Sequence, residues 1–227
     1  MLRAARVETD MGYALRHGVS FCDVGDRLVF LDIVTDRYFM LGEEAEAAFR
    51  AIRAGNCEFG PVHAALKRSN VLVETISNGV PEPCALARVP MASLLDEANV
   101  EPSVEERLRA LLLLATARAQ LRRKPLHVLL GGLANAKMRT GIPRPAQSLS
   151  AVSAAFEWTA RMMRSHDQCL ARSLSITRRA IDLGVSATLV IGVRLRPFAA
   201  HSWAQMDGGL INDRHDNVRT YTPILAI

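Results

Sequence analysis

A proline-rich stretch at residues 81–90 divides the chain into two parts with different sequence patterns. The segment "PEPCALARVP" holds three prolines in ten residues. Because proline fixes φ and lacks a backbone donor, we expect no regular structure there. Short β-type runs precede this stretch, whereas helical patterns and then strand patterns follow it. The sequence therefore predicts two domains, 1–80 and 104–227, joined by a linker at 81–103.

The first part of the chain has the pattern of a small sheet with helices. Three β-type runs lie at 18–22, 27–33 and 36–41, with turn signals between them. The segment "EEAEAAFRAIRAG" follows with apolar residues at helical spacing and a glycine in the C-cap position. A second helix is predicted over "PVHAALKRSNVLVET", residues 61–75.

The second part begins with helices and ends with strands. Ser103 and Glu106 form a capping-box pattern at the start of a helix over 103–123. Three more helices are predicted within 126–183, and strands follow to the end of the chain. Helices followed by strands indicate an α+β domain with an antiparallel sheet. The buried stripe predicted for the first of these helices consists of Leu108, Leu111, Leu112 and Ala115.

Composition argues against several classes of protein. The net charge is +5, but the basic residues are spread along the chain, so we expect no nucleic-acid partner. The longest apolar run, "ALLLLA", is far shorter than the roughly 20 residues of a membrane-spanning helix. The four cysteines show no CxxC spacing, and the N-terminus shows no secretory signal. We therefore expect a cytoplasmic protein that has no membrane partner.

Cys169, His201 and Asp213 are the residues that best fit catalytic chemistry. Cys169 lies in the first turn of a predicted helix, where free N–H groups and the helix dipole lower the pKa of a thiol. Either Ser165 or Asp167 is the predicted N-cap of that helix. Ordinary structural roles compete for each residue taken alone, since free cysteine is a common small buried residue.

His201 and Asp213 lie on the two strands of a hairpin that is predicted to turn near Asp207. An odd-numbered loop places both side chains on one face of the sheet, where the acid orients the imidazole. A two-residue turn at 208–209 places them on opposite faces. A catalytic role therefore predicts an odd-numbered or bulged loop.

A zinc site is the competing interpretation of these residues. It would use His166, Cys169, His201 and His215. The set contains one close pair, whereas structural zinc sites have two. We therefore expect no metal and no cofactor.

Three motifs in the second part resemble a known family. "CLARSL", "LVIGVRLRPFAAHSW" and "MDGGLIND", in this order and at these separations, resemble the B protein of lasso-peptide biosynthesis. That leader peptidase is a branch of the transglutaminase-like, papain-like cysteine-protease fold. The resemblance covers 104–227, and implies Cys169 as nucleophile, His201 as base and Asp213 as orienting acid. The family often has Val-Glu after the tryptophan, where this chain has Ala-Gln at the predicted rim of the site.

The first part resembles the leader-recognition element of the same proteins. The likeness lies in "RLVFLDIVTDRYFMLGEEAEAAF" and implies a winged-helix-like domain related to the small pyrroloquinoline-quinone chaperone. In that family the leader of a precursor peptide adds as a strand beside the third strand of the sheet. The predicted leader-binding residues are Asp36, Arg37, Tyr38, Phe39, Met40 and Leu41.

Together these patterns predict a leader-guided cysteine protease. It binds the leader of a ribosomally made lasso precursor peptide and hydrolyses the bond between leader and core. The resemblance also implies an ATP-dependent lasso cyclase as the partner that receives the freed core amine. Two alternatives are an acyl transferase of the same fold and a leader-binding protein without catalytic activity.

Overall fold

The fold is α+β and contains two sheet-forming units. The structure, a computed structural model, describes residues 12–55, 66, 68–76, 79–86, 90–97, 100–139, 147–162 and 168–227. Within these residues there are ten strands and seven helices.

The N-terminal unit holds a three-stranded antiparallel sheet. Its strands are β2 (Val19–Val24), β3 (Arg27–Asp32) and β4 (Arg37–Phe39), in the order β2-β3-β4. Helix α1 (Glu43–Arg53) covers one face of this sheet and buries Phe49 against Phe21 and Phe30, with ring centroids 5.0 and 5.2 Å apart. The three predicted β-type runs are confirmed, although the third is only three residues long.

The helix predicted over residues 61–75 is wrong at its C-terminal end. Strand β5 (Leu72–Thr75) pairs antiparallel with β1 (Gly12–Leu15), which the sequence patterns did not indicate. β-Branched residues favour a pleated strand over a helix, and "VLVET" contains three of them. Residues 61–65 and 67 lie outside the described part of the chain.

The C-terminal unit begins with helices. These are α2 (Leu94–Glu97), α3 (Val104–Arg123), α4 (Leu126–Met138), α5 (Gln147–Met162) and α6 (Cys169–Asp182). The predicted capping box is confirmed in part, because the Ser103 hydroxyl accepts a hydrogen bond from the Glu106 N–H at 3.2 Å. A short helix α7 (His215–Val218) lies near the end of the chain.

The buried stripe predicted for α3 is wrong. Leu108 and Leu112 are exposed, whereas Ala110, Leu114 and Ala117 are buried. Several faces of this helix carry apolar residues, so the sequence pattern does not select one of them. The buried face is selected by packing on α5 and α6.

The sheet of the C-terminal unit has five strands in the order β10-β7-β8-β9-β6. They are β6 (Ala92–Ser93), β7 (Thr188–Leu195), β8 (Phe198–Met206), β9 (Gly209–Leu210) and β10 (Thr222–Ala226). All pairs are antiparallel except β6 with β9, which is parallel.

The linker predicted at 81–103 is therefore wrong in its second half. Residues 81–86 are irregular as expected, but strand β6 and helix α2 belong to the C-terminal unit. The Cys84 N–H donates to the Phe21 carbonyl of β2 at 2.8 Å, whereas Leu86 packs against the core cluster of the C-terminal unit that includes Trp203. The passage from one unit to the other thus lies between Cys84 and Leu86.

An apolar interface joins the two units. Tyr38 is half-buried at its edge. The residues buried in it are Cys22, Val29 and Leu31 from the N-terminal sheet and Ile191, Val193 and Ile224 from the C-terminal sheet. The N-terminal sheet is thus covered on both faces, by α1 on one side and by β7 and β10 on the other. Such an interface holds the units in a defined relation, since burying apolar surface favours their association.

Among the described residues, no helix combines the length and the apolar character that crossing a membrane requires.

Candidate active site

Cys169 is the first residue of α6 and so lies in its first turn, as the sequence predicted. Its N-cap is Gln168, whose side chain makes no capping hydrogen bond. The predicted caps Ser165 and Asp167 lie outside the described residues. Helix α6 packs along β8, and this packing brings the half-buried Cys169 thiol to the strand that carries His201.

The structure brings Cys169, His201 and Asp213 together. The Cys169 thiol lies within electrostatic reach of His201 and Ser202, and both residues lower its pKa. The Nε2 atom of His201 contacts Oδ2 of Asp213 on its other side. Both of these side chains are largely buried, with 13% and 8% of their surface exposed. Because Nε2 is engaged by the acid, Nδ1 is the ring nitrogen left to face the thiol.

The prediction that an odd-numbered loop aligns His201 with Asp213 is wrong. Strands β8 and β9 are joined by a two-residue turn at Asp207 and Gly208, both with positive φ, and the loop is not odd-numbered. The sequence reasoning took a two-residue turn at 208–209 to separate the two side chains, and the observed turn at 207–208 is of the same length. They meet because the chain leaves the strand after Leu210 and bends through residues 211–213.

The electrostatics of the site favour a thiolate–imidazolium pair. Burial alone raises the pKa of the Cys169 thiol, but hydrogen bonds from His201 and Ser202 and the charge of His201 bring this pKa below its usual value. Burial lowers the pKa of His201, but hydrogen bonds with Asp213 and Cys169 outweigh it and raise that pKa to about 9. Both groups are therefore charged from the lowered thiol pKa up to about pH 9.

Asn217 belongs to the site and was missed by the sequence analysis. Its Nδ2 atom donates to Asp213 Oδ1 at 3.0 Å and lies 3.3 Å from His201 Nε2. Burial raises the pKa of Asp213, but hydrogen bonds from His201 and Asn217 more than offset this and lower it. Asn217 lies on the short helix α7, which begins just after Asp213 and its neighbour Arg214, the N-cap. The helix thus carries the Asn217 amide back to the Asp213 carboxylate.

Two aromatic rings lie beside the His201 imidazole. The rings of Tyr221 and Trp203 lie 5.1 and 6.3 Å from His201, centroid to centroid. Gly192 pairs with His201 across β7 and β8, and a Cβ there would come within 2.8 Å of the Trp203 ring. Glycine at this position therefore lets the indole pack beside the catalytic strand.

We expect Cys169 to be the most reactive of the described thiols. Burial raises the pKa of Cys22 to about 12 and also raises the pKa of Cys84, whereas that of Cys169 is lowered. The thiolate is the nucleophile in alkylation, so iodoacetamide should modify Cys169 first at neutral pH. Its rate should rise with pH through the lowered thiol pKa and then level off. Peptide mapping after timed labelling from pH 5 to 10 measures these rates.

His201→Ala provides the control for this labelling experiment. The substitution removes the hydrogen bond and the positive charge that lower the thiol pKa, so the pH midpoint for alkylation of Cys169 should move upward. Equal pH profiles for Cys169 and Cys84 in the unaltered protein would contradict the activated thiol.

Comparisons with known proteins agree with this geometry. The family profile described as "Transglutaminase-like superfamily" matches residues 111–226, just over half of the chain and the part that carries all three residues. The chain belongs to the transglutaminase-like superfamily. It is also 40% identical over 58 residues to the Microcin J25-processing protein McjB of Escherichia coli. This match covers 26% of the chain and 27% of that relative. No solved structure matches the chain.

These matches support the resemblance to the B proteins of lasso-peptide biosynthesis that the sequence motifs indicated. Two residues that differ from that family's frequent pattern, Ala204 and Gln205, are both buried. Ala204 packs among α5 and α6, and Gln205 accepts a hydrogen bond from the Trp203 indole at 2.9 Å. The expectation that they lie at the rim of the transglutaminase-like site is wrong.

The predicted leader-binding residues surround β4, at the edge of the three-stranded sheet. Phe39 stacks on Phe30 in the core, and Leu41 is buried there too. Met40 is exposed, and Asp36 lies in a turn with φ of 53°. Arg37 is exposed at the start of the strand. These residues therefore share an edge but do not share one binding face.

Tyr38 connects this edge with the transglutaminase-like site. Its ring meets Phe198, at the start of β8, at a centroid distance of 5.7 Å. Burial raises the pKa of Tyr38 to about 12, and the charges of Asp36 and Cys169 act in the same direction. The phenol is thus within electrostatic reach of the nucleophile.

In the part of the chain that the structure describes, no three His, Cys, Asp or Glu side chains are grouped to hold a metal ion. His166, from the competing zinc set, lies outside that part.

Proposed function

We propose that the protein is a leader-guided cysteine protease that cleaves a precursor peptide between its leader and its core. The observation that carries this proposal is that one imidazole contacts the Asp213 carboxylate and also lowers the pKa of the Cys169 thiol. That constellation activates a thiol for attack on a carbonyl. The similar McjB is named as a processing protein, which agrees with this reaction class.

In the proposed reaction the Cys169 thiolate attacks the carbonyl carbon of the last leader residue. The tetrahedral intermediate collapses, the C–N bond breaks, and the His201 imidazolium gives its proton to the departing core amine. A thioester between Cys169 and the leader remains. His201, now neutral, takes a proton from a water molecule that attacks the thioester. The leader leaves as a carboxylic acid and Cys169 is again a thiolate.

Asp213 holds the imidazole in the orientation that this reaction needs. Its carboxylate engages Nε2 and stabilises the imidazolium, whose Nδ1–H then points towards the thiol and the leaving amine. Asn217 fixes the second carboxylate oxygen, so the acid cannot rotate away from the ring.

The N-terminal unit supplies selection of the substrate in this proposal. Strand β4 lies at the edge of its sheet, and the leader adds beside it through backbone hydrogen bonds. Tyr38 on β4 and Phe198 on β8 adjoin, so a bound leader reaches the catalytic cleft by a short path. The freed core amine is the substrate for a separate ATP-dependent cyclase.

Mass spectrometry of a purified precursor incubated with the protein tests this proposal. We expect two products, the leader with a free carboxylate and the core with a free amine. An acyl transferase would instead join the leader to an added amine, such as hydroxylamine or an amino acid, in preference to water. Unchanged precursor with tight leader binding would favour the non-catalytic alternative.

Asp213→Asn should lower kcat less than His201→Ala does. The amide cannot stabilise an imidazolium, but it can still contact the ring, whereas alanine at 201 removes the proton carrier. Loss of general acid–base catalysis costs about 10²–10⁴-fold, and we expect the asparagine variant to retain about tenfold more activity than the alanine variant. Steady-state cleavage of the precursor measures both. Equal activities for the two variants would contradict an orienting role for Asp213.

A further inference from the structure

The strand pair that carries His201 and Asp213 ends in an irregular way. Strands β8 and β9 pair Gln205 with Leu210, and the Ile211 N–H still donates to the Ala204 carbonyl at 2.8 Å. In a regular antiparallel pair the Ala204 N–H would return the bond to the Ile211 carbonyl.

Two side chains supply the hydrogen bonds that the Ala204 N–H and the Ile211 carbonyl would otherwise make with each other. The Ala204 N–H donates to Oδ1 of Asn212 at 2.8 Å. The Ile211 carbonyl accepts a hydrogen bond from the Ser153 hydroxyl of α5. Both of these backbone groups are thus satisfied, and the ladder stops at Asn212.

This exit from the ladder decides where Asp213 lies. If the pairing continued, Asp213 would lie opposite Ser202 and share its face of the sheet. Neighbouring residues on a strand point to opposite faces, so His201 would lie on the other side. The acid reaches the imidazole because the chain turns out of the sheet one residue earlier.

Asn212 also reaches the helix that carries the nucleophile. Its Nδ2 atom donates to the Ser173 hydroxyl at 2.9 Å, and that hydroxyl donates to the Ser202 carbonyl at 2.8 Å. Ser173 lies four residues after Cys169, one turn along α6. Asn212, Ser173 and Ser202 are all buried.

The hydrogen-bond donors and acceptors around Asn212 allow one orientation of its amide. The Asn212 oxygen must face the Ala204 N–H, and its nitrogen must then face Ser173. A flipped amide would place its NH2 group against the Ala204 N–H, so that two donors would face each other. The Ser173 hydroxyl has one proton, which it gives to Ser202 while it accepts from Asn212. A second hydroxyl, Ser93, holds the Asp213 carbonyl at 2.6 Å.

We propose that Asn212, bridged by Ser173, is a positioning residue for the catalytic triad. It ends the β8–β9 ladder so that Asp213 meets His201, and it ties that bend to the turn of α6 after Cys169. The inference rests on the proposed cysteine-protease function, although its central measurement needs no substrate. Neither residue touches the reacting atoms.

The test compares Ser173→Ala and Asn212→Ala with Ser175→Ala in the full chain. Ser175 is the matched control, since it is buried on the same helix and its hydroxyl donates to the Ala171 carbonyl at 2.7 Å, outside the bridge. The alkylation rate of Cys169 by iodoacetamide is measured against pH, together with kcat and KM for the precursor. Thermal unfolding shows which variants are folded.

We expect Asn212→Ala to move the alkylation midpoint of Cys169 upward and to lower kcat about 10²-fold, the scale of a misplaced catalytic group. Ser173→Ala should shift both in the same direction, with kcat falling by roughly tenfold, since it removes only the bridge. KM should stay unchanged, because the leader binds elsewhere. Ser175→Ala should leave the midpoint and kcat as they are.

A folded Ser173→Ala protein with the wild-type alkylation profile and kcat would overturn the proposal, even if Asn212→Ala fails to fold. Equal losses in Ser173→Ala and Ser175→Ala would also overturn it, since the effect would then be general to buried serines. If the wild type cleaves no precursor, the protease function fails, while the alkylation profiles still decide the role of Asn212.

Discussion

Cys169→Ala is expected to abolish precursor cleavage and to leave leader binding unchanged. The substitution removes the nucleophile, and removal of a nucleophile from a catalytic triad costs on the order of 10⁴–10⁶ in kcat. The proposed leader site lies along β4, in a different unit, and the change removes one sulfur atom from a half-buried position. Fluorescence polarisation with a labelled leader and mass spectrometry of the intact precursor measure the two quantities.

Cys84→Ala is the matched control for this prediction. Cys84 is also half-buried, but burial raises its thiol pKa, and its hydrogen bond to β2 uses the backbone N–H. The control should therefore cleave at the wild-type rate. Cleavage above background by a purified Cys169→Ala protein would remove Cys169 as the nucleophile.

The identity of the three catalytic candidates could be predicted from the sequence, but their geometry could not. Cys169 near a helix start follows from local pattern, because hydrophobic spacing locates the helix. The contact between His201 and Asp213 depends on Asn212, whose side chain replaces a ladder hydrogen bond. No periodicity of the sequence signals such a replacement, and the loop length alone predicted the opposite outcome.

The same limit applies to the packing of the units. The stripe on α3 was assigned to Leu108 and Leu112, which are exposed, because that helix carries leucines on several faces. The β-type runs located β2 and β3 but did not show that both faces of the sheet are covered. Leu31 and Val193 meet across the interface although they are far apart in sequence, and pattern within one segment carries no such information.

This interface changes where the chain can be divided. A fragment beginning at residue 100 would lack strand β6, whose Ser93 holds the Asp213 carbonyl. The break that separates the two units lies between Cys84 and Leu86, because Cys84 bonds to β2 and Leu86 packs against the core of the C-terminal unit. Fragments for testing the two units separately should therefore be 1–84 and 85–227.

We expect 85–227 alone to cleave the precursor about 10²–10⁴-fold less efficiently than the full chain, because leader binding no longer holds the scissile bond near Cys169. Removing the N-terminal sheet also uncovers Ile191, Val193 and Ile224, and it exposes Leu170 next to the nucleophile. The catalytic fragment should therefore bind 1–84 in trans and regain activity in a concentration-dependent way. Titration of 1–84 against a fixed amount of 85–227, with cleavage followed by mass spectrometry, measures this recovery.

Leu31→Asp in fragment 1–84 is the control for that titration. Leu31 is fully buried at the interface, and a carboxylate there would be buried without a partner when the fragments dock. The altered fragment should restore far less activity, while still binding labelled leader if it stays folded, since β4 carries the proposed leader edge. Full activity of 85–227 by itself would show that the N-terminal unit does not select the substrate. Recovery that is unaffected by Leu31→Asp would show that the two fragments do not dock through this interface.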